Sequence, residues 1–281
     1  MVVKLTWLGT AAYILDLDGT RLMCDPFFYR QTNPKAEPEL KTRREDISNI
    51  DGIFISHGHI DHITDAGWFA EYKKVPVYCS EMAKENIISW AKGDVDPQEA
   101  HDLSEEAKNK IHVANWGDLI EINEDVSVEI MESKHIKFDF NTIFARIKSK
   151  EFWKNVKALI PLGKLPAGDV FGFGIRYKDI KFISYGSLWH KNEEVLKNNR
   201  DCKVFIAPIA GNSKKHLAQK SRAMIKILRP NIVVPLHWDN FYPPISRTED
   251  LDPFLKMVET DFPNIQVIMP EIDKEILLEV N

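Results

Sequence analysis

Three of the nine histidines fall in one short segment, Ser56-His57-Gly58-His59-Ile60-Asp61-His62, directly after an apolar run. Imidazoles packed this closely repel one another when they are protonated, whereas neutral imidazoles and carboxylates are common ligands of divalent metals. The alternative is a polar, solvent-exposed turn. Such a turn gains nothing from three imidazoles and a carboxylate, so the segment predicts a metal-binding loop.

The spacing within this loop has a physical logic. If the chain leaves a strand in extended form, His57 and His59 point the same way, because side chains repeat with period two. If a helix then begins near Asp61, the Asp61 and His62 side chains turn toward a neighbouring point. One loop could thus serve two ions about 3.5–4 Å apart, a separation suited to bridging a hydroxide. Two imidazoles per ion are too few, so further ligands must come from elsewhere.

Two more histidines stand at the ends of predicted strands. His135 follows Val-Ser-Val-Glu-Ile-Met-Glu-Ser-Lys, and His237 follows Asn-Ile-Val-Val-Pro-Leu. Taken alone, each is more typical of a structural or surface histidine. With the cluster present, strand ends that meet on one rim of a sheet favour recruiting both as ligands.

The elements that must position these residues alternate along the chain. A hairpin is predicted around Asp18-Gly19, a dipeptide suited to a tight turn, and 52–55 reads as a buried strand leading into the loop. Further apolar runs at 204–209 and 232–236 predict buried strands. Helices are predicted at 81–92, 97–108, 213–228 and 248–260.

Composition narrows the function classes. The chain has 281 residues, with 37 Lys plus Arg against 42 Asp plus Glu, which gives a net charge of −5 and argues against a general nucleic-acid binder. No run of about 18 apolar residues occurs and no signal peptide is found, so a cytoplasmic protein without a membrane span is expected. Three widely spaced cysteines, Cys24, Cys79 and Cys202, are expected to be reduced and buried.

No linker or low-complexity stretch divides the chain, so one domain covering 1–281 is predicted. The least regular segment, at about 136–168, resembles an insertion. It is rich in aromatic residues, namely Phe138, Phe140, Phe144, Phe152 and Trp153. These either wall an apolar substrate pocket or form a subunit contact beside His135, or they bury themselves under the insertion.

Beyond the loop, the opening WLGTAAYILDLDGTRLMCDP, the segment ESKH and the late PLHWDNF carry a family likeness. The chain resembles metallo-β-lactamase-fold hydrolases, in particular the branch that contains L-ascorbate-6-phosphate lactonase and N-acylphosphatidylethanolamine phospholipase D. The resemblance extends over most of the chain. It implies a four-layer αβ/βα sandwich, an α/β fold in which two mixed β-sheets lie face to face with metals at one edge.

The resemblance also implies a ligand set. The family's first metal site matches His57, His59 and His135, and its second matches Asp61, His62 and His237. The aspartate that bridges both metals in the family is missing, because Ser187 stands where the carboxylate is expected. We therefore expect weaker occupancy of at least one site, a single-metal enzyme, a bridge made by hydroxide or substrate, or a replacement ligand such as His190.

Two further positions bear on the site. Relatives commonly carry a histidine after Trp-Leu-Gly, where this chain has Thr10, so a role of that histidine in substrate binding is absent or altered. Asp25 matches the family's Asp-Pro at the end of the early hairpin. It either orients a ligand histidine from behind the metal site or only accepts hydrogen bonds from backbone N–H groups at a strand end.

The leading hypothesis is a metal-dependent hydrolase, in which a metal-bound hydroxide attacks an ester, lactone, amide or phosphodiester of a small, phosphorylated or amphiphilic molecule. One or two divalent ions are expected, zinc first, with manganese or iron as alternatives. Asp61 would orient the water or accept its proton, and His237 would hold the leaving-group side. The alternatives are a non-catalytic metal-binding sensor or scaffold, favoured by Ser187, and an iron-dependent redox protein. A homo-oligomer stays open.

Overall fold

The computed structural model describes residues 2–136, 165–210, 214–243 and 246–280. Within these residues, strands β1 to β6 are Val3–Trp7, Tyr13–Leu17, Thr20–Cys24, Gly52–Phe54, Val77–Cys79 and Ile111–Val113. Strands β7 to β14 are Leu119–Glu121, Val126–Ser133, Val170–Tyr177, Ile180–Tyr185, Val204–Pro208, Ile232–Leu236, Gln266–Val267 and Glu275–Leu278.

The strands form two mixed sheets. The first has the order β14-β1-β2-β3-β4-β5-β6 and the second the order β13-β12-β11-β10-β9-β8-β7. In the first sheet, β14 to β3 pair antiparallel and β3 to β6 pair parallel. In the second, β10 to β13 are parallel and β7 to β10 antiparallel. The ends of parallel strands in both sheets therefore face a common edge.

The core between the sheets follows from the alternation of apolar residues along the strands. In β1, Val3, Leu5 and Trp7 are fully buried while the intervening residues are partly exposed. These side chains pack in one cluster with residues of the second sheet such as Ile130 and Phe173. Sheet faces with this period of two bury one side against each other.

Helices cover the outer faces. A second apolar cluster joins the outer face of the first sheet to the helix Glu81–Ala91, and a third joins the second sheet to the helices Lys214–Leu228 and Asp252–Asp261. Shorter helices are Ile60–Ile63, Ala66–Trp68, Glu105–Asn109 and Glu193–Asn198. Helix, sheet, sheet and helix are the four layers, which confirms the predicted αβ/βα sandwich.

The apolar run at 5–17, predicted as one strand of the early hairpin, is two strands. Gly9 and Thr10 have φ angles of +88° and +53°, and they reverse the chain between β1 and β2. The amide of Leu8 donates to the carbonyl of Ala12, which closes the turn. The expected turn at Asp18-Gly19 then joins β2 to β3.

The predicted helix at 97–108 is also divided. It consists of the 3₁₀ turn Pro97–Glu99 and the helix Glu105–Asn109, because the Asp96 and Ser104 side chains each accept a backbone N–H and cap separate elements. The aromatic insertion predicted at about 136–168 falls mostly on 137–164, outside the described residues. The three cysteines are buried and unpaired. In the described part of the chain, no helix has the length and apolarity needed to cross a membrane.

Candidate metal centre

The loop at 56–62 leaves the first sheet just beyond β4 and runs into the short helix Ile60–Ile63, whose N-cap is His59. Gly58 lets this loop pass close to a neighbouring segment. Its N–H donates to the carbonyl of Ala167, and a Cβ at this position would lie 2.6 Å from the carbonyl oxygen of Pro166 and 2.5 Å from Nδ2 of Asn86. A side chain would displace the loop, so glycine fixes where its histidines stand.

A first triad comprises His57, His59 and His135. One potential ligand atom from each residue lies within 4.8 Å of the others. Nε2 of His57 is 3.1 Å from Nδ1 of His59, and the His135 ring centroid lies 4.6 Å from that of His59. The loop after β4 and the segment after β8 thus bring three imidazoles together from opposite sheets.

Two hydrogen bonds orient His135 through a single peptide unit. Nδ1 of His135 donates to the carbonyl oxygen of Ile136 at 2.8 Å, so Nε2 is the nitrogen left to bind a cation. The N–H of Ile136 donates to Oγ of Ser187 at 2.9 Å. The hydroxyl of Ser187, in place of the family's carboxylate, therefore contacts the backbone that carries His135.

A second triad comprises Asp61, His62 and His237, and again one potential ligand atom from each lies within 4.8 Å of the others. Oδ2 of Asp61 is 3.5 Å from Nε2 of His62 and 3.3 Å from Nε2 of His237. The triads adjoin, since the rings of His57 and His62 are 3.9 Å apart between centroids. Asp61 is the single carboxylate among the six residues.

Asp25, at the end of β3, lies behind both triads. Its Oδ2 accepts from Nδ1 of His62 at 2.8 Å and from the hydroxyl of Ser56 at 2.7 Å, while Oδ1 accepts the Ser56 N–H. The Ser56 hydroxyl is also 3.0 Å from Nδ1 of His57. A carboxylate on the far nitrogen fixes the ring of a ligand histidine and its tautomer. This geometry favours the orienting role considered for Asp25.

His237 follows β12 and has a left-handed φ of +61°. Its N–H donates to the carbonyl of Thr10 at 2.9 Å. The Thr10 N–H in turn donates to both carboxylate oxygens of Asp239, at 3.1 and 3.0 Å, and the buried guanidinium of Arg30 donates to the same carboxylate. A Cβ on Gly9 would collide with Nη1 of Arg30. The early turn and this buried ion pair therefore hold the His237 backbone in a strained conformation.

The two triads differ in charge. Burial lowers the pKa of His57 well below its ordinary value, and the neighbouring imidazoles of His62, His59 and His135 lower it further. Burial likewise lowers the pKa of His59, and it lowers that of His135 to about 4. The first triad therefore presents three neutral imidazoles at neutral pH.

In the second triad, burial disfavours the charged forms of Asp61 and His62, but the groups of opposite charge around them favour these forms more strongly. Asp61 and Asp25 raise the pKa of His62 to about 10. The pKa of Asp61 lies well below its usual range in spite of burial, because His62 and His237 stabilise its ionised form. Without a cation, this half of the site is a protonated histidine between two carboxylates.

The donor set fits divalent cations. Nδ1 of His237 is buried and has no hydrogen-bond partner, although buried polar atoms are rarely left unpaired. Five imidazoles and one carboxylate in two adjoining triads are the nitrogen and oxygen ligands that zinc and similar metals bind. Each triad leaves coordination positions for water or substrate.

The remaining predicted residues fall in different places. Ser187 lines the cavity over the triads, whereas His190 belongs to neither triad and does not line that cavity. Sequence reasoning missed Arg30 and Asp239. The signal for Asp239 was its position two residues after His237, and that for Arg30 was a charge within the aromatic run Phe27-Phe28-Tyr29.

Comparison with known proteins agrees with this fold. The profile of a family described as "Beta-lactamase superfamily domain" matches residues 20–238. A "UPF0173 metal-dependent hydrolase" from Pyrococcus horikoshii is 25% identical over 259 residues, covering 92% of each chain. Another protein with this description, from Methanopyrus kandleri, is 22% identical and covers 96% of this chain and 97% of its own.

Solved structures share the architecture. A "novel metallo hydrolase" from Ignicoccus hospitalis superposes with a TM-score of 0.66 at 20% identity, over 100% of both chains. An isothiocyanate hydrolase from Delia radicum gut bacteria gives a TM-score of 0.61 at 14% identity, over 97% of this chain and 98% of its own. At these identities, the likeness establishes the fold.

Proposed function

Because the chain belongs to the β-lactamase superfamily domain family, and is a metal-dependent hydrolase of the metallo-β-lactamase fold, we propose that it cleaves an ester, lactone, amide or phosphodiester of a small molecule where the two triads meet. The observation that carries this proposal is the convergence of the triads from three separate strand ends on one cavity. Since both sheets contribute residues, the proposal treats 1–281 as one catalytic domain.

The proposed ligands are His57, His59 and His135 for one cation and Asp61, His62 and His237 for the other. If bound there, such a cation, zinc first and manganese or iron as alternatives, would lower the pKa of a water molecule to about 7 and would stabilise negative charge on the substrate. The remaining roles, accepting the proton of the water and contacting the leaving group, are assigned to side chains of the protein.

Asp61 is the proposed proton acceptor. Its carboxylate stays ionised between His62 and His237, so it can accept a hydrogen bond from the attacking water and receive its proton. His237 stands on the far side of Asp61, next to the apolar ring of Phe241, with ring centroids 5.0 Å apart. This position suits the leaving-group side of the substrate.

The resemblance to the lactonase and phospholipase branch supports a phosphorylated or amphiphilic substrate. The sequence motifs HGHIDH, ESKH and PLHWDNF carry that likeness. Within this branch the reaction centre is either a carbonyl carbon or a phosphorus, and both are attacked by water activated between imidazole and carboxylate ligands.

A non-catalytic metal sensor or scaffold is the second candidate, and Ser187 is the observation that favours it. A bridging carboxylate offsets the repulsion between two dications, whereas the neutral hydroxyl of Ser187 already accepts the N–H of Ile136. Loss of the bridge would lower the affinity for a second ion and with it the catalytic power.

Metal content and turnover, measured together, separate the two candidates. The purified protein is stripped with a chelator and reloaded with zinc, manganese or iron, and the bound metal is counted before esters, lactones, amides and phosphodiesters are offered. We expect one to two ions per chain and turnover that disappears on stripping. Bound metal without turnover across the panel would favour the scaffold, and a chain that takes up no metal would overturn both.

A further inference from the structure

The cavity over the two triads has apolar walls beside each of them. It measures about 310 Å³, at the small end of the 300–1,000 Å³ typical of ligand pockets. Ile136 and Leu188 line it next to the first triad. Phe241 lines it next to the second, where its ring packs edge-to-face on His237 and, at 6.0 Å between centroids, on buried Phe27.

Charged side chains of this cavity are already engaged. Apart from the six proposed ligands, the described lining residues with a charge are Asp239, Arg247 and Glu249. Asp239 is bound by Arg30 and by the Thr10 N–H. Nε of Arg247 lies 3.6 Å from Oε1 of Glu249, and the Arg247 side chain is 50% exposed.

This distribution discriminates between substrate types. A phosphate monoester is held by several charge-assisted donors, typically arginines or lysines in bidentate geometry. Among the described lining residues, Arg247 is the single lysine or arginine, and it is half exposed and paired with a carboxylate. Among the described lining residues, a phosphorylated group placed between the apolar walls would find no cationic side chain that is not already paired with a carboxylate.

Volume sets a second limit. A cavity at the small end of the range for ligand pockets suits one aryl group or one medium-length alkyl chain.

We propose that this cavity binds a compact, uncharged apolar group of the substrate, between Phe241 on one side and Ile136 with Leu188 on the other. The inference rests on the proposed function and narrows the class of substrate that it allows. The substrate carries its apolar group directly beside the bond that is cleaved, and it carries no phosphate there.

Alkyl hydroxamates test this assignment independently of the reaction, because the hydroxamate chelates the metal and the chain samples the cavity. Calorimetry on the zinc-loaded protein measures the affinity of each member from acetohydroxamate to dodecanohydroxamate. We expect the affinity to rise about fourfold per methylene, the usual gain for burying one CH₂, and to level off within the series once the chain extends beyond the cavity. Glucose 6-phosphate is expected not to displace octanohydroxamate.

Two variants test whether the alkyl chain of the hydroxamate lies in this cavity. Phe241→Ala removes one wall, so the gain per methylene should fall to about twofold or less. Ala210→Phe, at another lining residue, fills the cavity and should move the plateau to shorter chains by several carbons. Tyr72→Ala is the matched control, because this aromatic residue is 57% exposed and does not line the cavity. Metal content, measured for every variant, shows that the centre is intact.

The outcomes separate the two proposals. A protein that takes up no zinc overturns the proposed function, and the pocket assignment with it. A protein that takes up zinc and binds acetohydroxamate, but shows the same affinity for every chain length, overturns the pocket assignment alone. Displacement of octanohydroxamate by glucose 6-phosphate at low concentration would do the same. A rising series that Ala210→Phe leaves unchanged would place the alkyl chain outside this cavity.

Discussion

The two triads of the candidate centre both offer ligands to a cation, but they differ in charge. The first, His57, His59 and His135, is three neutral imidazoles, whose pKa values burial holds down. The second contains the carboxylate of Asp61, and His62 sits between that carboxylate and Asp25 with its pKa raised to about 10. The first half is ready to accept a cation, whereas the second must exchange a proton for it.

They also differ in how they are held. The first triad depends on a short loop and on one backbone peptide, that of Ile136, which contacts Ser187. The second depends on buried charges. Asp25 orients His62, and the pair of Arg30 and Asp239 supports the turn that carries His237. We therefore expect substitutions in the second triad's support to reduce stability strongly together with metal binding, and those near the first to cost less stability and to affect metal binding at that triad.

The double substitution His57→Ala/His59→Ala should have the largest effect. It removes two of the three imidazoles of the first triad, so that its cation is lost entirely while the second triad keeps reduced affinity. Metal counting after equilibrium dialysis checks this, with His112→Ala, an exposed histidine of β6, as the control. Unchanged metal content in the double variant would exclude the loop as the metal site.

Arg30→Met should be the most destabilising single change. The side chain of Arg30 is 1% exposed and that of its partner Asp239 is fully buried, so the variant leaves the buried carboxylate of Asp239 without its cationic partner. The expected loss is about 3–5 kcal/mol in the free energy of unfolding, measured by urea denaturation. Affinity at the second triad should fall with it.

Two variants control this prediction. Arg30→Met/Asp239→Asn removes both charges and should recover much of the stability, since the unpaired carboxylate is gone. Arg43→Met breaks the exposed pair with Asp46, which solvent screens, and should cost far less stability. If Arg30→Met lost no more than Arg43→Met, the support assigned to the buried pair would be wrong.

Asp25→Asn should weaken the second triad by about 10-fold to 100-fold in metal affinity, as is usual when the carboxylate behind a ligand histidine is neutralised. Asparagine tolerates the left-handed φ of +45° at this position, so the backbone is preserved. Asp18→Asn has a similar φ of +56° in the exposed β2–β3 turn and serves as the control. Equal losses at both triads would mean that Asp25 acts through Ser56 on the whole loop.

The sequence indicated which residues come together in the two triads better than it indicated the residues that support them, and the reason is distance along the chain. The loop at 56–62 is local, and His135 and His237 follow recognisable strands. Arg30 and Asp239 are 209 residues apart, and no single-sequence pattern pairs them. The turn at Gly9-Thr10 divides the early strand, and Thr10 links these residues to His237. This turn was missed because the apolar run at 5–17 continues on both sides of it.

Individual strands and helices were predictable from their patterns of apolar residues, whereas their arrangement in four layers was predicted from the resemblance to a known family. Alternating strands such as β1 and the long amphipathic helix Lys214–Leu228 each signal which side is buried. The cavity walls carried no such signal. Phe241 and Leu188 are ordinary apolar residues in sequence. They line one cavity only because strand ends that are far apart in the chain lie side by side in the fold.

Metal binding should depend on pH at the second triad but not at the first. His62 has a pKa of about 10 in the metal-free protein, above its ordinary value of 6.5, so its stabilising charge is present below pH 6.5 and is lost as pH rises through 10. A cation at the second triad must displace that proton. Its affinity should rise about tenfold per pH unit from pH 7 to 9, while that of the first triad stays flat.

Variants with one triad each allow this comparison. His57→Ala/His59→Ala retains the second triad and His237→Ala retains the first. Calorimetry in buffers of different ionisation enthalpy should give about one proton released per cation for the former and none for the latter. Equal proton release from both would contradict the assigned difference in charge.

Ser187→Ala should have the smallest effect, and one confined to the first triad. The variant leaves the buried N–H of Ile136 without its acceptor, at a cost of about 1–3 kcal/mol, part of which the backbone relieves by moving His135. Affinity at the first triad should fall by less than tenfold. Ser133→Ala is the control, because its buried hydroxyl has no hydrogen-bond partner.

Ser187→Asp sharpens the same comparison. A carboxylate at this position can still accept the Ile136 N–H and adds a negative charge to the cavity over the triads, so metal occupancy should rise above that of the native protein. The gain should appear at both triads, since a bridge serves both cations. If occupancy fell at both, another group would already occupy the place of the bridge, and Ser187 would act only by positioning His135.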